Sequence, residues 1–181
     1  YPFWEDGYKL VETPYAGMEH QSAIAYGNGY TTSGHYYIYD LVDYIILHET
    51  AHEWWGNSLT ACDGADIWLH ESFATYSEVL YIEEKLGRLM SIDYLKKKRS
   101  NIANKLPLIG PKNVNYWGFD DVYWKGAWVL HTLRSVINND DIFFKWIKES
   151  QKKFHHSIIC SDEFIEFINE ETNIDLDYFF Q

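Results

Sequence analysis

Two different patterns of hydrophobic and polar residues divide the chain near residue 40. Residues 7–38 are rich in glycine, tyrosine and threonine, and they contain short β-prone runs at Tyr8–Glu12 and Ser22–Tyr26. Turn signals such as Gly27-Asn28-Gly29 bound these runs. Short runs between turns predict a small, partly antiparallel sheet in this part of the chain.

From residue 40 onward the apolar residues follow the helical period. Asp40 can cap a first helix that stops at Gly56-Asn57-Ser58. A second helix is predicted from Asp66 to Gly87, because its apolar residues recur at the spacing of one buried helical face. Further helices are predicted at Ser91–Asn104, Asp121–Ile137, Asp141–Lys153 and Ser161–Asn169, the last with Ser161 as its N-cap. A small sheet followed by helices predicts an α+β fold.

Composition and charge narrow the class of protein. The 181 residues suffice for one domain with a sizeable core, and 46% hydrophobic and 23% charged residues are ordinary values for a globular chain. A formal net charge of −12 has the wrong sign for nucleic acid or an anionic membrane surface, so a charged partner is expected to be cationic or to carry a free amine. No apolar run approaches the ~20 residues of a membrane-spanning helix. Cys62 and Cys160 are too few for a disulfide framework and lack the spacing of a metal knuckle.

The candidate chemistry lies in the first predicted helix, where His48-Glu49-Thr50-Ala51-His52 matches the pattern H-E-x-x-H. Two histidines four residues apart share a helical face with Cβ atoms about 6 Å apart, so both imidazoles can reach one zinc ion. Glu49 is offset by about 100° from His48 and can act on a water molecule instead of binding the metal. A zinc site of this kind needs a third protein ligand.

The second predicted helix offers that ligand. Eighteen residues separate His52 from Glu71, which lies in the segment Trp68-Leu69-His70-Glu71-Ser72-Phe73-Ala74. The carboxylate can meet the two imidazoles if the helices pack antiparallel across the turn between them. Glu78, seven residues further on and on the same helical face, is either a hydrogen-bond acceptor for a ligating imidazole or a solvated side chain.

These residues resemble a known family. The H-E-x-x-H segment followed by Glu71 within W-L-x-E-x-F-A resembles the gluzincin metallopeptidases, and specifically the aminopeptidase N family, which also includes leukotriene hydrolase. Ala16-Gly17-Met18-Glu19-His20 is similar to that family's exopeptidase motif G-A-M-E-N, with the first two residues exchanged and histidine in place of asparagine. Tyr123-Trp124-Lys125-Gly126 is similar to its Y-x-K-G segment. His70 and Ser72 stand where the family often has asparagine and glycine.

The resemblance implies a thermolysin-like α+β catalytic domain with one zinc ion per chain. It also implies hydrolysis of N-terminal residues from peptides that have a free N-terminus. Family members are several times longer, so the resemblance further implies that residues 1–181 are a single catalytic domain of a longer chain with N- and C-terminal domains. The roles that it implies are zinc ligands for His48, His52 and Glu71, general base for Glu49, anchor of the substrate amine for Glu19, and hydrogen-bond donor to the tetrahedral oxyanion for Tyr123.

Other functions stay open at this point. The chain can instead be a zinc endopeptidase, a bifunctional enzyme similar to leukotriene hydrolase, or a non-catalytic, zinc-stabilised module that binds peptides. Cleavage of N-blocked peptides distinguishes an endopeptidase from an aminopeptidase. Zinc binding without any hydrolysis would favour the binding module.

Overall fold

The computed structural model describes residues 7–30, 37–115 and 120–180. Short strands lie mainly in the first third of the chain and helices in the rest, so the predicted α+β class is confirmed. The strands are β1 (Leu10–Glu12), β2 (Gly17–Met18), β3 (Ile24–Tyr26), β4 (Tyr37–Ile38), β5 (Val42–Asp43), β6 (Leu59–Ala61) and β7 (Ser157–Ile159). The helices are α1 (Tyr44–Ala51), α2 (Trp68–Leu86), α3 (Arg88–Lys97), α4 (Asp121–Ile137), α5 (Asp140–Lys153) and α6 (Ser161–Thr172), with single 3-10 helices at Gly64–Asp66 and Lys98–Asn101. In the part of the chain that the structure describes, no helix is both long enough and apolar enough to cross a membrane.

The N-terminal sheet has the strand order β1–β3–β2. Strand β1 runs parallel to β3, and β2 runs antiparallel to β3 with Gly17 opposite Tyr26. This confirms the predicted, partly antiparallel sheet, although β3 begins two residues later than predicted. Ser22 has a φ of 59° and donates its backbone N–H to Glu53 Oε1 at 2.9 Å, so the chain turns there toward the end of the first helix.

Two further strand pairs, β4–β5 and β6–β7, are absent from the sequence prediction. The first is a short antiparallel hairpin, and the second is a parallel pair with Leu59 opposite Ser157. Strands of two or three residues contain too few positions for alternation of apolar and polar residues to be visible. Their pairing depends on tertiary contacts instead.

Helix α1 begins later than predicted, because Asp43 and not Asp40 is its N-cap. The Asp43 carboxylate accepts the backbone N–H of Ile45 at 2.9 Å and the hydroxyl of Tyr26 at 2.7 Å. Asp40 lies in the turn between β4 and β5 with a φ of 55°. An N-cap residue has an extended backbone, as Asp43 does with φ −70° and ψ 118°, and left-handed Asp40 lacks it.

The prediction that Ser161 caps the last helix is also wrong. The Ser161 hydroxyl donates to the carboxylate of Asp66 and accepts the indole N–H of Trp68 at 2.7 Å. The side chain therefore connects α6 to the beginning of α2. Helix α4 has the predicted bounds, and α5 begins one residue before its predicted start.

Aromatic rings fill the core between the helices. Trp55 stacks on Phe73 of α2 with 3.9 Å between ring centroids. Phe164 of α6 and Trp146 of α5 approach the same phenylalanine edge-on at 5.6 and 6.1 Å. These contacts hold α2 against α5, α6 and the turn that follows α1, with the ring geometry that aromatic pairs prefer.

The two cysteines form a disulfide bond that the sequence analysis did not predict. Cys62 follows β6 and Cys160 precedes α6, with 5.2 Å between their Cα atoms and a separation of 98 residues along the chain. Two cysteines make no framework, but they are enough for one bridge. In the chain-entropy model a bridge across a loop of this length stabilises the fold by about 4–5 kcal/mol.

Candidate metal centre and active site

Three predicted ligands converge between α1 and α2. Glu71 Oε2 lies 3.2 Å from His48 Nε2 and 3.4 Å from His52 Nε2. One ligand atom from each of the three residues lies within 4.8 Å of the others. The imidazoles are almost fully buried, with 7% of His48 and 1% of His52 exposed. The packing of α1 on α2 therefore brings the set together as the spacing predicted.

The second nitrogen of each imidazole fixes the orientation of its ring. His48 Nδ1 lies 2.9 Å from a carboxylate oxygen of Glu78, and His52 Nδ1 lies 2.8 Å from the carbonyl oxygen of Trp55. Because both partners are acceptors, each Nδ1 carries a hydrogen, and in the neutral ring Nε2 presents its lone pair. Two such nitrogens and the Glu71 carboxylate are a donor set that fits a zinc ion.

Glu78 is buried, and the structure decides between the two interpretations of this residue. Only 2% of it is exposed. One carboxylate oxygen accepts from His48 and the other accepts the hydroxyl of Tyr94 at 2.5 Å. Glu78 is therefore the hydrogen-bond acceptor of a candidate ligand rather than a solvated side chain. The role of Tyr94 has no signal in the sequence, because this tyrosine lies on a separate helix, α3.

The ionisable groups at the centre perturb one another strongly. Burial lowers the pKa of His48, but hydrogen bonds to Glu71 and Glu78 outweigh burial and raise this pKa to about 10. Burial raises the pKa of Glu71, but the hydrogen bonds of His48 and His52 hold it well below its usual range. The two carboxylates therefore favour the protonated form of the His48 ring. Because imidazole ligands bind metal in the neutral form, a metal ion held by these residues would take the place of this proton.

The residues beside Glu71 attach its helix to the neighbouring elements. His70 Nε2 accepts the backbone N–H of Ala61 at 2.8 Å, and burial lowers the pKa of His70 to about 4, which keeps the ring a neutral acceptor. On the other side, the Ser72 hydroxyl donates to the carbonyl oxygen of Val122 at 2.7 Å. The two residues that depart from the family's usual motif therefore connect α2 to β6 and to α4.

Glu49 and Glu19 lie beside the centre. One carboxylate oxygen of each lies within 4.8 Å of a ring nitrogen of His52 and of the other carboxylate. Burial raises the pKa of Glu49 to about 6. Glu19 follows β2, and the side chain of Asn57 donates to its carbonyl oxygen at 2.8 Å. The family resemblance implies both acids at the site, but no motif includes Asn57, which reaches the strand from the turn after α1.

Tyr123 reaches the centre from the first turn of α4. Its ring stacks on His48 with 5.8 Å between centroids. Burial and the carboxylate of Glu71 raise the pKa of Tyr123 above its ordinary value, so its phenol keeps its proton at neutral pH. The close approach of α4 depends on Gly126, since a Cβ atom there would lie 1.7 Å from Ser72 Oγ.

A cavity of about 830 Å³ joins these residues. Its lining is rich in carboxylates. The basic side chain of Lys98 also lines it. All six predicted site residues line it, namely Glu19, His48, Glu49, His52, Glu71 and Tyr123. A cavity of this size and charge suits a ligand that carries a positive group.

A match between the sequence and a protein-family model identifies the family of this chain. The model of the Peptidase family M1 domain matches residues 10–181. The chain belongs to peptidase family M1. Membership confirms the resemblance to the aminopeptidase N family that the motifs indicated.

Relatives of this M1 chain include well-known aminopeptidases. Human endoplasmic reticulum aminopeptidase 2 is 32% identical over 130 residues, which are 66% of this chain and 13% of that protein. Rat aminopeptidase N is 34% identical over 134 residues, which are 62% of this chain and again 13% of the relative. The chain thus spans a small part of the length of either protein.

The fold is also found in solved M1 structures. The M1 zinc metallopeptidase from Deinococcus radiodurans superposes with a TM-score of 0.78 over 96% of this chain and 38% of that chain, at 21% sequence identity. The α+β fold is therefore that of an M1 peptidase domain.

Proposed function

We propose that residues 1–181 form the catalytic domain of a zinc aminopeptidase, which removes N-terminal residues from peptides. The observation that carries this proposal is the convergence of His48, His52 and Glu71 beside two more acids, Glu49 and Glu19. The first three residues would hold one zinc ion. A bound zinc ion would polarise the scissile carbonyl and increase the acidity of a water molecule.

Glu49 is the general base in this mechanism. Its carboxylate lies beside His52 but is not needed as a ligand, so it is free to accept a proton from the attacking water. As the C–N bond of the substrate breaks, Glu49 returns the proton to the departing amine. The pKa of Glu49, raised by burial to about 6, suits a group that both accepts and donates a proton near neutral pH.

Glu19 selects the free N-terminus. Its carboxylate lies within 4.8 Å of the Glu49 carboxylate, and two acids this close favour a cation between or beside them. The α-ammonium group of a peptide supplies such a cation. Binding it at Glu19 places the first peptide bond of the substrate at the metal centre, which accounts for removal of single residues.

Peptide digestion tests the proposed activity. One peptide is supplied in free and N-acetylated forms, with and without a zinc chelator, and the products are identified by mass spectrometry. Loss of single residues from the free form only, and only without chelator, supports the proposal. Internal cleavage of both forms would replace it with an endopeptidase, and stoichiometric zinc binding without any cleavage would indicate a binding module.

Glu19→Ala is expected to reduce the preference for free over acetylated peptide by about 10- to 10²-fold, the equivalent of one charge-assisted hydrogen bond. The preference is measured as the ratio of kcat/KM for the two forms. Glu12→Ala changes an exposed acid on β1 and is the matched control. An unchanged ratio in the Glu19 variant would contradict the assignment.

Tyr123→Phe is expected to lower kcat by about 10²- to 10³-fold with a small change in KM, because a donor to the oxyanion acts mainly in the transition state. Steady-state kinetics on a free peptide measure both constants. Tyr178→Phe alters a tyrosine that is 89% exposed and should retain wild-type kinetics. Equal losses in binding and turnover would argue against the proposed role of Tyr123.

A further inference from the structure

Gly17 of β2 touches the side chain of the proposed general base. A Cβ atom built on Gly17 would lie 2.5 Å from Glu49 Oε1, 3.0 Å from Glu49 Cδ and 2.6 Å from Ile45 Cγ2. The φ of Gly17 is outside the left-handed region, so the backbone there is open to any residue. The glycine is therefore required for space and not for backbone conformation.

The strand cannot easily move away from α1 to make room for a side chain. Gly17 pairs with Tyr26, whose hydroxyl donates to Asp43, the N-cap of α1, at 2.7 Å. Beyond the other end of α1, Asn57 donates to the carbonyl oxygen of Glu19 at 2.8 Å. The sheet is thus attached to α1 at both ends of the helix, with Gly17 against its middle.

The two side chains that face Gly17 differ in their freedom to move. Ile45 is 1% exposed and lies in the packed core, whereas Glu49 ends in a carboxylate at the edge of the cavity. An added methyl group would meet both side chains at less than 3.0 Å, so Ile45 would have to shift as well. The carboxylate at the end of the longer Glu49 side chain is the more easily displaced of the two. An ordinary contact needs at least 3.4 Å instead of 2.5 Å, so the displacement would be about 0.9 Å.

We propose that Gly17 is a positioning residue for Glu49, because its missing side chain leaves the space in which the Glu49 carboxylate sits beside the metal centre. The proposal rests on the function proposed above, in which Glu49 is the base. The exopeptidase motif has alanine at this position, so the change Gly17→Ala restores the family residue and is nevertheless expected to impair this chain.

Kinetics test the proposal with a matched pair of variants in the zinc-loaded protein. A misplacement of about 1 Å can cost about 10²-fold in rate, so Gly17→Ala is expected to lower kcat by about 10- to 10²-fold with KM and zinc affinity unchanged. Val11→Ala changes a residue of β1 in the same sheet that is 47% exposed, and it is expected to keep kcat near the wild-type value. Equal kcat values for Gly17→Ala and the wild type would overturn the proposal.

A double variant tests whether Gly17 acts through Glu49. With Glu49→Gln already present, Gly17→Ala is expected to have almost no further effect on the residual rate, since the base is gone. A loss by the same factor in both backgrounds would contradict the proposal. Should Gly17→Ala lower the Tm, Glu49→Ala in the same chain is expected to restore part of the loss, because the Glu49 atoms that the methyl group meets are removed while its contact with Ile45 remains. Absence of that recovery would also contradict the proposal.

Crystal structures of the zinc-loaded wild type and Gly17→Ala decide the same question without activity. The expected result is a Glu49 carboxylate displaced by about 1 Å, with β2 in place and a smaller shift of Ile45. An undisplaced Glu49 with a shifted β2 would overturn the positioning role. If the wild type fails to hydrolyse any peptide, the proposed function fails, and this comparison still determines whether Gly17 positions Glu49.

Discussion

Glu49→Gln is expected to lower kcat by about 10²- to 10⁴-fold while the protein still binds one zinc ion, because the amide cannot accept the proton of the attacking water. The side chain keeps its size, and the three residues that converge on the metal site, His48, His52 and Glu71, are untouched. Zinc content by elemental analysis and kcat on a free peptide are measured on the same preparation.

The control for this variant is Glu163→Gln, which changes an exposed acid in the first turn of α6. It should retain both zinc and activity. Full activity of Glu49→Gln would eliminate Glu49 as the base. Loss of zinc from the same variant would instead make Glu49 a part of the metal site.

Glu71→Ala is expected to weaken zinc binding by more than about 100-fold. Loss of a residue that only hydrogen-bonds to a metal ligand typically weakens metal binding by about 10- to 100-fold, and Glu71 is proposed as a ligand itself. The substitution removes the one anionic donor of the three and leaves His48 and His52 with a vacant position between them. Zinc affinity is measured by isothermal titration calorimetry. The Tm is measured with and without added zinc, because a ligand that binds only the native state raises the Tm.

In the Glu71 variant we expect activity to be lost and the Tm to respond little to zinc. Glu84→Ala, an exposed position on the same helix, should retain the wild-type response. Stoichiometric zinc at wild-type affinity in Glu71→Ala would exclude this residue as a ligand and would require another donor in the cavity.

The sequence predicted best what depends on short-range spacing. Two histidines four residues apart share a helical face whatever the rest of the fold does, and Glu71 follows on a long helix with a strong apolar period. The helix from Asp121 to Ile137 has its predicted bounds for the same reason. These features depend on residues that are near one another along the chain, so spacing and periodicity are enough to predict them.

What the sequence did not predict depends on contacts between distant residues. Asp40 and Asp43 are both acceptable N-caps by residue type, and only the hydrogen bond from Tyr26 and the left-handed turn at Asp40 decide between them. The hydroxyl of Tyr94 reaches Glu78 from another helix. The space that Gly17 leaves for Glu49 exists only where the strand and the helix meet. None of these contacts has a spacing along the chain that periodicity could detect.

The bond between Cys62 and Cys160 encloses residues 63–159 in a covalent ring. Glu71 and Tyr123 belong to this ring, whereas His48 and His52 precede it. A proteolytic nick in the mostly exposed segment 102–115 would open the ring but leave both fragments in one molecule. A nick between His52 and Cys62 would instead detach the histidines from the acid that completes their site. The covalent integrity of the candidate metal centre thus depends on the nine residues between His52 and Cys62 more than on the much longer chain inside the ring.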